Sequence, residues 1–401
     1  MKILLVIDDY ILKSTKIGAK MMHELGVEFK SRGHDITVVT PDPDISKTHE
    51  ITELGGVKIW RFRSGRIKNV SKIKRAINEL MLSHYAWKYL KHLFKQEQHD
   101  LIVYYLPTIF WGTLVRRLKR LWKTSSYLIL RDIFPQWVVD SGLISKYSPV
   151  YLYFKYFEKI CYETADTIAL QSPQNLKWFS EHIRIKKPAD LLYNWAADKP
   201  ESGVDKRYRK ELGLEEKIVY FYGGNIGHAQ DIMNIVRLAK NMASEDNAHF
   251  LLVGQGDEVP IVKRAIKEEN LTNLTYLPPV SQDEFKKMLA ECDIGLFTLH
   301  HDHKTHNFPG KLLGYMVQGI PILGSINPEN DVKGVVEEAQ AGLVSINGDD
   351  EGFLDNALKL LHDEELRKTM GRNAKKLLKE NFSVQSAADK ILEFYNNKTN
   401  N

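Results

Sequence analysis

The chain has 401 residues, 43% hydrophobic and 27% charged, with a net charge of +5. That profile suits a two-domain α/β protein and excludes disordered, collagen-like and disulfide-scaffold classes. Cys161 and Cys292 have no Cys or His nearby at ligand spacing, and no window reaches the roughly 20 apolar residues of a membrane span, so zinc, disulfide and membrane-spanning readings lose support.

Ile3–Ile7 reads as a buried first strand, too short in its apolar run for a signal peptide, so a cytoplasmic protein is expected. The loop Ser14–Gly18 follows. Lys20–Ser31 is an amphipathic helix closed at Gly33, and Ile36–Thr40 is a second strand ending at Pro41-Asp42-Pro43. Val57–Arg61 is a short strand. Ser71 to about Gln96 is a long helix with apolar positions at Ile73, Ile77, Leu80, Met81, Tyr85, Leu90 and Leu93. Strands at Leu101–Tyr105 and Ser126–Leu130 flank a helix carrying Leu114 and Leu118; Tyr151–Glu163 is an aromatic helix and Thr167–Leu170 a strand. Strands of continuous Val, Ile and Leu alternating with helices predict a doubly wound parallel sheet covered on both faces.

The polar stretch Asp198–Asp205 predicts a linker. The pattern then restarts, with strands at Ile218–Tyr222, His249–Val253, Leu274–Leu277, Ile294–Thr298 and Ile320–Leu323. Helices intervene, among them Val259–Glu268 and Phe285–Glu291, and the chain closes with Glu351–His362, Glu364–Glu380 and Val384–Tyr395. The predicted organisation is two Rossmann-like domains, 1–198 and 206–380, facing across a cleft, with residues 381–401 forming a helix that returns to the first domain and a polar tail.

Two glycine-marked segments carry the chemistry. Asn307-Phe308-Pro309-Gly310-Lys311-Leu312 is a turn opening a short helix, whose first amides and lysine form a place for a diphosphate. Gly223-Gly224-Asn225-Ile226-Gly227 lies between a strand and a helix, where backbone can approach a ligand closely. It has neither Walker nor G-x-G-x-x-G spacing, so neither an ATPase loop nor NAD is indicated. The first 200 residues hold 32 Lys+Arg against 20 Asp+Glu, and the remainder 24 against 31. The basic clusters Arg61–Arg75 and Arg116–Lys123, near Tyr85, Trp87, Trp111 and Trp122, predict an anionic membrane surface as partner, the alternative being a solvated helix face. No nucleic-acid module is present.

These segments resemble the retaining GT-B glycosyltransferases of family 4. Pro309-Gly310-Lys311, Tyr315-Met316 and Gly319-Ile320-Pro321 follow the donor-site pattern P-[SG]-K-x-x-E-Y-M-x-x-G-x-P. Tyr222, Gly224, Gly227 and Gln230 match Y-x-G-x-x-G-x-x-Q. Leu130–Trp137 resembles the D-x-[WF]-P-[EQ] segment of the bacterial surface-polysaccharide branch. Gly142-Leu143-Ile144, Asn194, Met370-Gly371 and Asn373-Ala374 extend the likeness over nearly the whole chain.

The resemblance implies a donor held by Gly224, Asn225, Gly227, His228, Gly254, Gln255, Pro279, Val280, Phe308, Pro309, Gly310 and Leu312. Lys16 and Gly18 would lie near phosphates or acceptor. Lys311 would stabilise the leaving diphosphate, and Asp132 would bind a sugar hydroxyl or assist the acceptor, unless it is a helix cap. The family's two glutamates, eight residues apart, are replaced by His306 and Gly314, leaving His306 as the candidate facing the donor sugar. His300, His301, His303 and His306 could suggest a metal, but the family works without one and without a cofactor. The implied reaction moves a sugar from a UDP-sugar to a polyprenyl-diphosphate-linked saccharide in O-antigen assembly, at the inner face of the bacterial inner membrane. N-acetyl-L-fucosaminyl transferases are the nearest type. A UDP-N-acetylglucosamine epimerase would need a carboxylate pair that is not found, and a non-catalytic GT-B partner is the other alternative.

Overall fold

The structure is a computed structural model that describes residues 1–12, 14, 16–67, 70–106, 108–131, 133–135, 145–202, 206–302 and 308–399. The chain divides into two compact units: Met1–Asn194 with Val384–Asn401, and Trp195–Ser383.

The first unit is built on an eight-stranded sheet of β1 (Lys2–Val6), β2 (Asp35–Asp42), β3 (His49–Leu54), β4 (Val57–Arg63), β5 (Leu101–Leu106), β6 (Ser125–Leu130), β7 (Thr167–Leu170) and β8 (Ala189–Leu191). Their order is β3-β4-β2-β1-β5-β6-β7-β8. Ile3 pairs with both Ile36 and Leu101, so the winding reverses between β1 and β5. At such a reversal the two crossovers leave on opposite faces and open a crevice at the carboxyl ends. Every residue of β5 is buried, as expected for a parallel strand covered on both sides.

The sheet is not wholly parallel, as the sequence had suggested. β3 runs antiparallel to β4 through the turn at Gly55 and Gly56, both at positive φ. Its mostly polar residues leave no apolar run to read, and its exposed edge needs none.

Helices α1 (Ile17–Ser31), α2 (Lys72–Gln96), α3 (Gly112–Trp122), α4 (Pro149–Thr164) and α5 (Pro173–His182) cover this sheet. On α2 the buried positions are Leu82, Ala86, Leu90 and Phe94, whereas Ile73 and Ile77 of the predicted stripe are exposed because the first turns carry no core contacts. The tryptophans read as membrane-facing are also corrected. Trp111 and Trp122 are buried, and the Trp122 indole donates to the Phe94 carbonyl oxygen at 2.7 Å. Exposed apolar side chains gather instead on the first half of α4, at Val150, Leu152, Tyr153 and Tyr156.

The second unit has a six-stranded parallel sheet. In chain order its strands are β9 (Ile218–Asn225), β10 (Ala248–Gln255), β11 (Leu274–Leu277), β12 (Ile294–Thr298), β13 (Ile322–Ile326) and β14 (Gly342–Ile346), arranged β11-β10-β9-β12-β13-β14. The helices are α6 (Arg207–Leu212), α7 (Ile232–Asn241), α8 (Val259–Glu268), α9 (Gln282–Ala290), α10 (Lys311–Gln318), α11 (Asp331–Glu338), α12 (Asp350–His362) and α13 (Glu364–Leu377). Tyr220, Tyr222, Phe250, Leu252 and Leu296 head the core beneath them.

The last helix, α14 (Val384–Thr399), belongs to the first unit. Arg32 binds Asp389 at 2.5 Å, Lys398 binds Asp166 at 2.5 Å, and the Phe394 ring stands 5.3 Å from Tyr127. Among the described residues no helix is long and apolar enough to cross a membrane.

Candidate functional site

The carboxyl ends of β9 and β10 meet with almost no space between them. Gly254 pairs with Gly224 and Gln255 with Asn225. A Cβ on Gly254 would fall 1.8 Å from the Gly224 carbonyl oxygen, so this glycine is required by backbone packing alone. Gly224 itself sits at φ +132°, a conformation that L side chains rarely adopt. It is exposed, as is Asn225, whose amide donates to Gln230 Oε1 at 2.6 Å. Gly227 is buried, since a Cβ there would stand 2.6 Å from Asp257 Oδ1.

Helix α10 points its amino end at the same place. Its position is fixed by Tyr315, fully buried with its hydroxyl 2.7 Å from the Leu296 carbonyl oxygen and 3.2 Å from that of Phe221. Gly295 makes room for that ring, because a Cβ there would lie 2.3 Å from it. The helix ends at Gly319, whose φ of +69° closes the last turn.

At the start, the Leu312 amide donates to the Pro309 carbonyl oxygen at 3.2 Å and the Leu313 amide to that of Gly310 at 3.3 Å. Leu312 is buried. Its N–H is therefore committed within the turn, whereas no acceptor for the Gly310 and Lys311 amides appears among the described residues. Phe308 is buried against Phe382, ring centroids 4.8 Å apart, and anchors the turn; Pro309 is half-exposed.

Lys311 brings the two segments together. Its Nζ stands 3.6 Å from the centroid of the Tyr222 ring. A Cβ on Gly224 would be 3.8 Å from Lys311 Cε and 4.0 Å from Nζ. No ion pair to Lys311 exists among the described residues. Burial pushes its ammonium down to about 7, since a low-dielectric site disfavours the charged form. A cation at a helix amino terminus, held by a π face and lacking a carboxylate, is arranged to receive an anion.

Around it, His228 is exposed, with its ring 4.6 Å from that of His300 and Nδ1 3.6 Å from Glu258 Oε1. Gln255 is exposed at the end of β10. Pro279 is exposed and Val280 half-buried after β11, where the Tyr276 hydroxyl donates to the Gly254 carbonyl oxygen at 3.0 Å. Among the described residues no group of three or more His, Cys, Asp or Glu is placed to hold a metal ion. Gly314, where the resembled pattern has glutamate, is half-buried; a Cβ there would touch Leu289 Cδ2 at 3.1 Å.

Lys16 and Gly18 belong to the first unit, at the amino end of α1 beside β5. The Lys16 amide donates to Ser14 Oγ at 3.2 Å, and a Cβ on Gly18 would lie 2.8 Å from the Tyr105 hydroxyl. Asp132 and His306 lie outside the described residues. Tyr222, His300 and Glu258 were not among the expected donor-site residues. Tyr222 stood in the glycine-loop motif and His300 in the histidine run, whereas Glu258 carried no signal.

Residues 204–377 match the family described as glycosyl transferases group 1. The chain is 25% identical over 218 residues to the probable glycosyltransferase WbjE of Pseudomonas aeruginosa, covering 54% of each. It is 24% identical over 338 residues to the putative colanic acid biosynthesis glycosyl transferase WcaI of Escherichia coli K12, covering 80% of this chain and 82% of that one. The match to WbjE thus spans about half of that relative's length. Among solved structures, sucrose-phosphate synthase from Thermosynechococcus elongatus aligns with a TM-score of 0.71 at 15% identity over 99% of both chains. Anabaena HepE in complex with UDP aligns with a TM-score of 0.69 at 14% identity over 99% of this chain and 100% of that one. These likenesses support a transferase enzyme. The chain has the GT-B fold, and its residues 204–377 match the model of the glycosyl transferases group 1 family.

Proposed function

We propose that this protein is a retaining glycosyltransferase that moves a sugar from a UDP-sugar to a lipid-linked saccharide during assembly of a bacterial surface polysaccharide. The observation carrying the proposal is the Lys311 amine at the start of α10, against Tyr222 and beside Gly224, with no ion pair among the described residues. The donor diphosphate rests there, on the Gly310 and Lys311 amides. The acceptor oxygen attacks the anomeric carbon from the side on which the bond to the diphosphate breaks. The acceptor proton passes to the departing phosphate oxygen, so no protein nucleophile is used. Lys311 and the helix end stabilise the charge that grows on the leaving group.

HepE, of the same fold, was solved with UDP, which favours a uridine donor. The name of WcaI favours a surface polysaccharide as product. The polysaccharide-branch segment near Asp132 favours an amino-deoxyhexose such as N-acetyl-L-fucosamine. Asp132 would serve the acceptor and His306 the donor sugar. A thermal-shift comparison of UDP, GDP and dTDP tests the donor, because a ligand bound only by the native state raises the melting midpoint with its affinity. UDP is expected to give the largest shift. A larger shift with GDP would refute the uridine assignment.

The acceptor side of this reading is a membrane surface. Tyr147, Val150, Leu152, Tyr153 and Tyr156 are exposed on and just before α4, with Lys146, Lys155 and Lys159 interleaved. Aromatic and aliphatic side chains among lysines suit the headgroup region of an anionic bilayer. In flotation assays the protein is expected to rise with phosphatidylglycerol vesicles at low salt. Leu152→Asp with Tyr156→Asp should leave it at the bottom. Equal flotation of the two proteins would remove α4 from the contact.

A further inference from the structure

A second cavity, of about 230 Å³, lies wholly within the first unit at the carboxyl ends of β1, β2 and β4. Asp8 and Asp9 follow β1, Thr40 and Asp42 end β2, and Arg61 lies on β4. It lies on the β1–β2–β4 side of the β1–β5 reversal.

Its cations are already engaged. Arg61 binds Asp42 at 2.9 Å and Glu50 at 2.6 Å, and Arg66 binds Asp44 at 2.7 Å. Other polar capacity is left over. Thr40 is 3% exposed, and among the described residues neither its hydroxyl nor Arg61 Nε has a hydrogen-bond partner. Leaving a buried polar group unpaired costs on the order of 1–3 kcal/mol, so such groups mark places where a ligand or water completes the set. Asp8 also lines the cavity. Burial, helped by the nearby charges of Asp9 and Glu79, raises its carboxyl to about 7. Near neutral pH it can therefore donate a hydrogen bond as well as accept one.

The chemistry of the walls selects the ligand. Carboxylates outnumber the arginines and every arginine is paired, so an anion would be repelled. Carboxylates and a hydroxyl side by side accept and donate to the vicinal hydroxyls of a sugar, while Tyr10, Pro41 and Pro43 offer apolar surface to its C–H face. The volume is below the roughly 300–1,000 Å³ of pockets for drug-sized ligands, which limits the occupant to about one ring. We propose that this cavity is a binding subsite for a single neutral saccharide ring, held through its hydroxyls by Asp8, Thr40 and Asp42. The proposal deepens the transferase reading by naming an acceptor-side sugar, and rests on that reading for its role but not for binding itself.

Saturation-transfer NMR on the full chain without nucleotide tests it, using the methyl glycosides of glucose, galactose, mannose and N-acetylglucosamine. At least one glycoside should receive saturation. Thr40→Val, which keeps the shape and removes the hydroxyl, should weaken its binding about fivefold to tenfold. Asp8→Asn, which keeps a donor and an acceptor but can no longer ionise, should retain the same glycoside preference. The UDP-induced thermal shift should be unchanged in both, since the Lys311 site belongs to the other unit. The proposal is overturned if no glycoside is saturated, if a Thr40→Val, Asp42→Asn double variant of unchanged melting midpoint binds as well as wild type, or if calcium ions or glucosamine bind where neutral glycosides do not. Glycoside binding that persists when UDP gives no shift would sink the donor reading and uphold this subsite.

Discussion

Lys311→Ala is expected to lower sugar-transfer turnover by about 10²–10³-fold, the loss typical when a preorganised group facing a developing anion is removed. The magnitude follows from the surroundings. The side chain lies against the Tyr222 ring at 3.6 Å and meets no carboxylate among the described residues, so none of them competes with the donor for it. Little should be lost in folding, because truncation strands no buried partner and removes a cation–π contact worth about 0.5–2 kcal/mol. Lys311→Arg should recover part of the rate, since the charge returns but the planar fork does not reproduce a point charge above the ring. The measurement is turnover with a UDP-sugar and membrane extract, alongside the melting midpoint. A Lys311→Ala enzyme within about twofold of wild type would take Lys311 out of leaving-group stabilisation.

Binding of UDP at pH 8 should draw in roughly 0.9 proton from solution, because a lysine titrating near 7 is then mostly neutral and a diphosphate beside it favours the charged form. Calorimetry in two buffers of different ionisation enthalpy measures this directly. With Lys311→Met the uptake should disappear. Affinity should fall by about tenfold per pH unit above 7 until the complex itself titrates. Stability carries the opposite sign. Burial lowers this lysine from 10.5 to about 7 in the folded chain, so the unfolded chain binds more protons between those values. This group alone therefore makes the protein more stable as pH climbs through that window, and ligand and stability profiles should diverge above pH 7. Identical proton uptake in wild type and Lys311→Met would show that the proton is taken up by some other group.

Both sheets were legible where strands are unbroken apolar runs. Thr167–Leu170 and Ile294–Thr298 coincide with β7 and β12, every residue of which is buried, and Leu274–Leu277 coincides with the edge strand β11. The polar edge β3 escaped, as did β14, whose Gly342-Leu343-Val344-Ser345-Ile346 is short and interrupted by serine. Helix α11 was also missed; its start is marked by Asn330, whose side chain accepts from the Val332 amide. In the candidate site, glycines and the lysine stood out because backbone approach and charge leave a residue-type signature. The Tyr222–Lys311 contact did not. It joins positions 89 apart through the β9–β12 pairing and the seating of Tyr315, which no local pattern encodes. The Asp8–Thr40–Arg61 cavity was unread for the same reason, since three strands distant in sequence assemble it.

The second unit starts and finishes at one spot. The Ala196 amide donates to the Phe382 carbonyl oxygen at 2.9 Å, and Ala196 and Ser383 form a parallel bridge. Its incoming and outgoing ends are thus stitched together like the mouth of a bag. Such a piece can be lifted out as a self-contained insert, or swapped for the counterpart from another transferase, with short joints and no long tether to close. Donor preference should travel with the transplanted insert, while whatever residues 1–194 recognise stays behind.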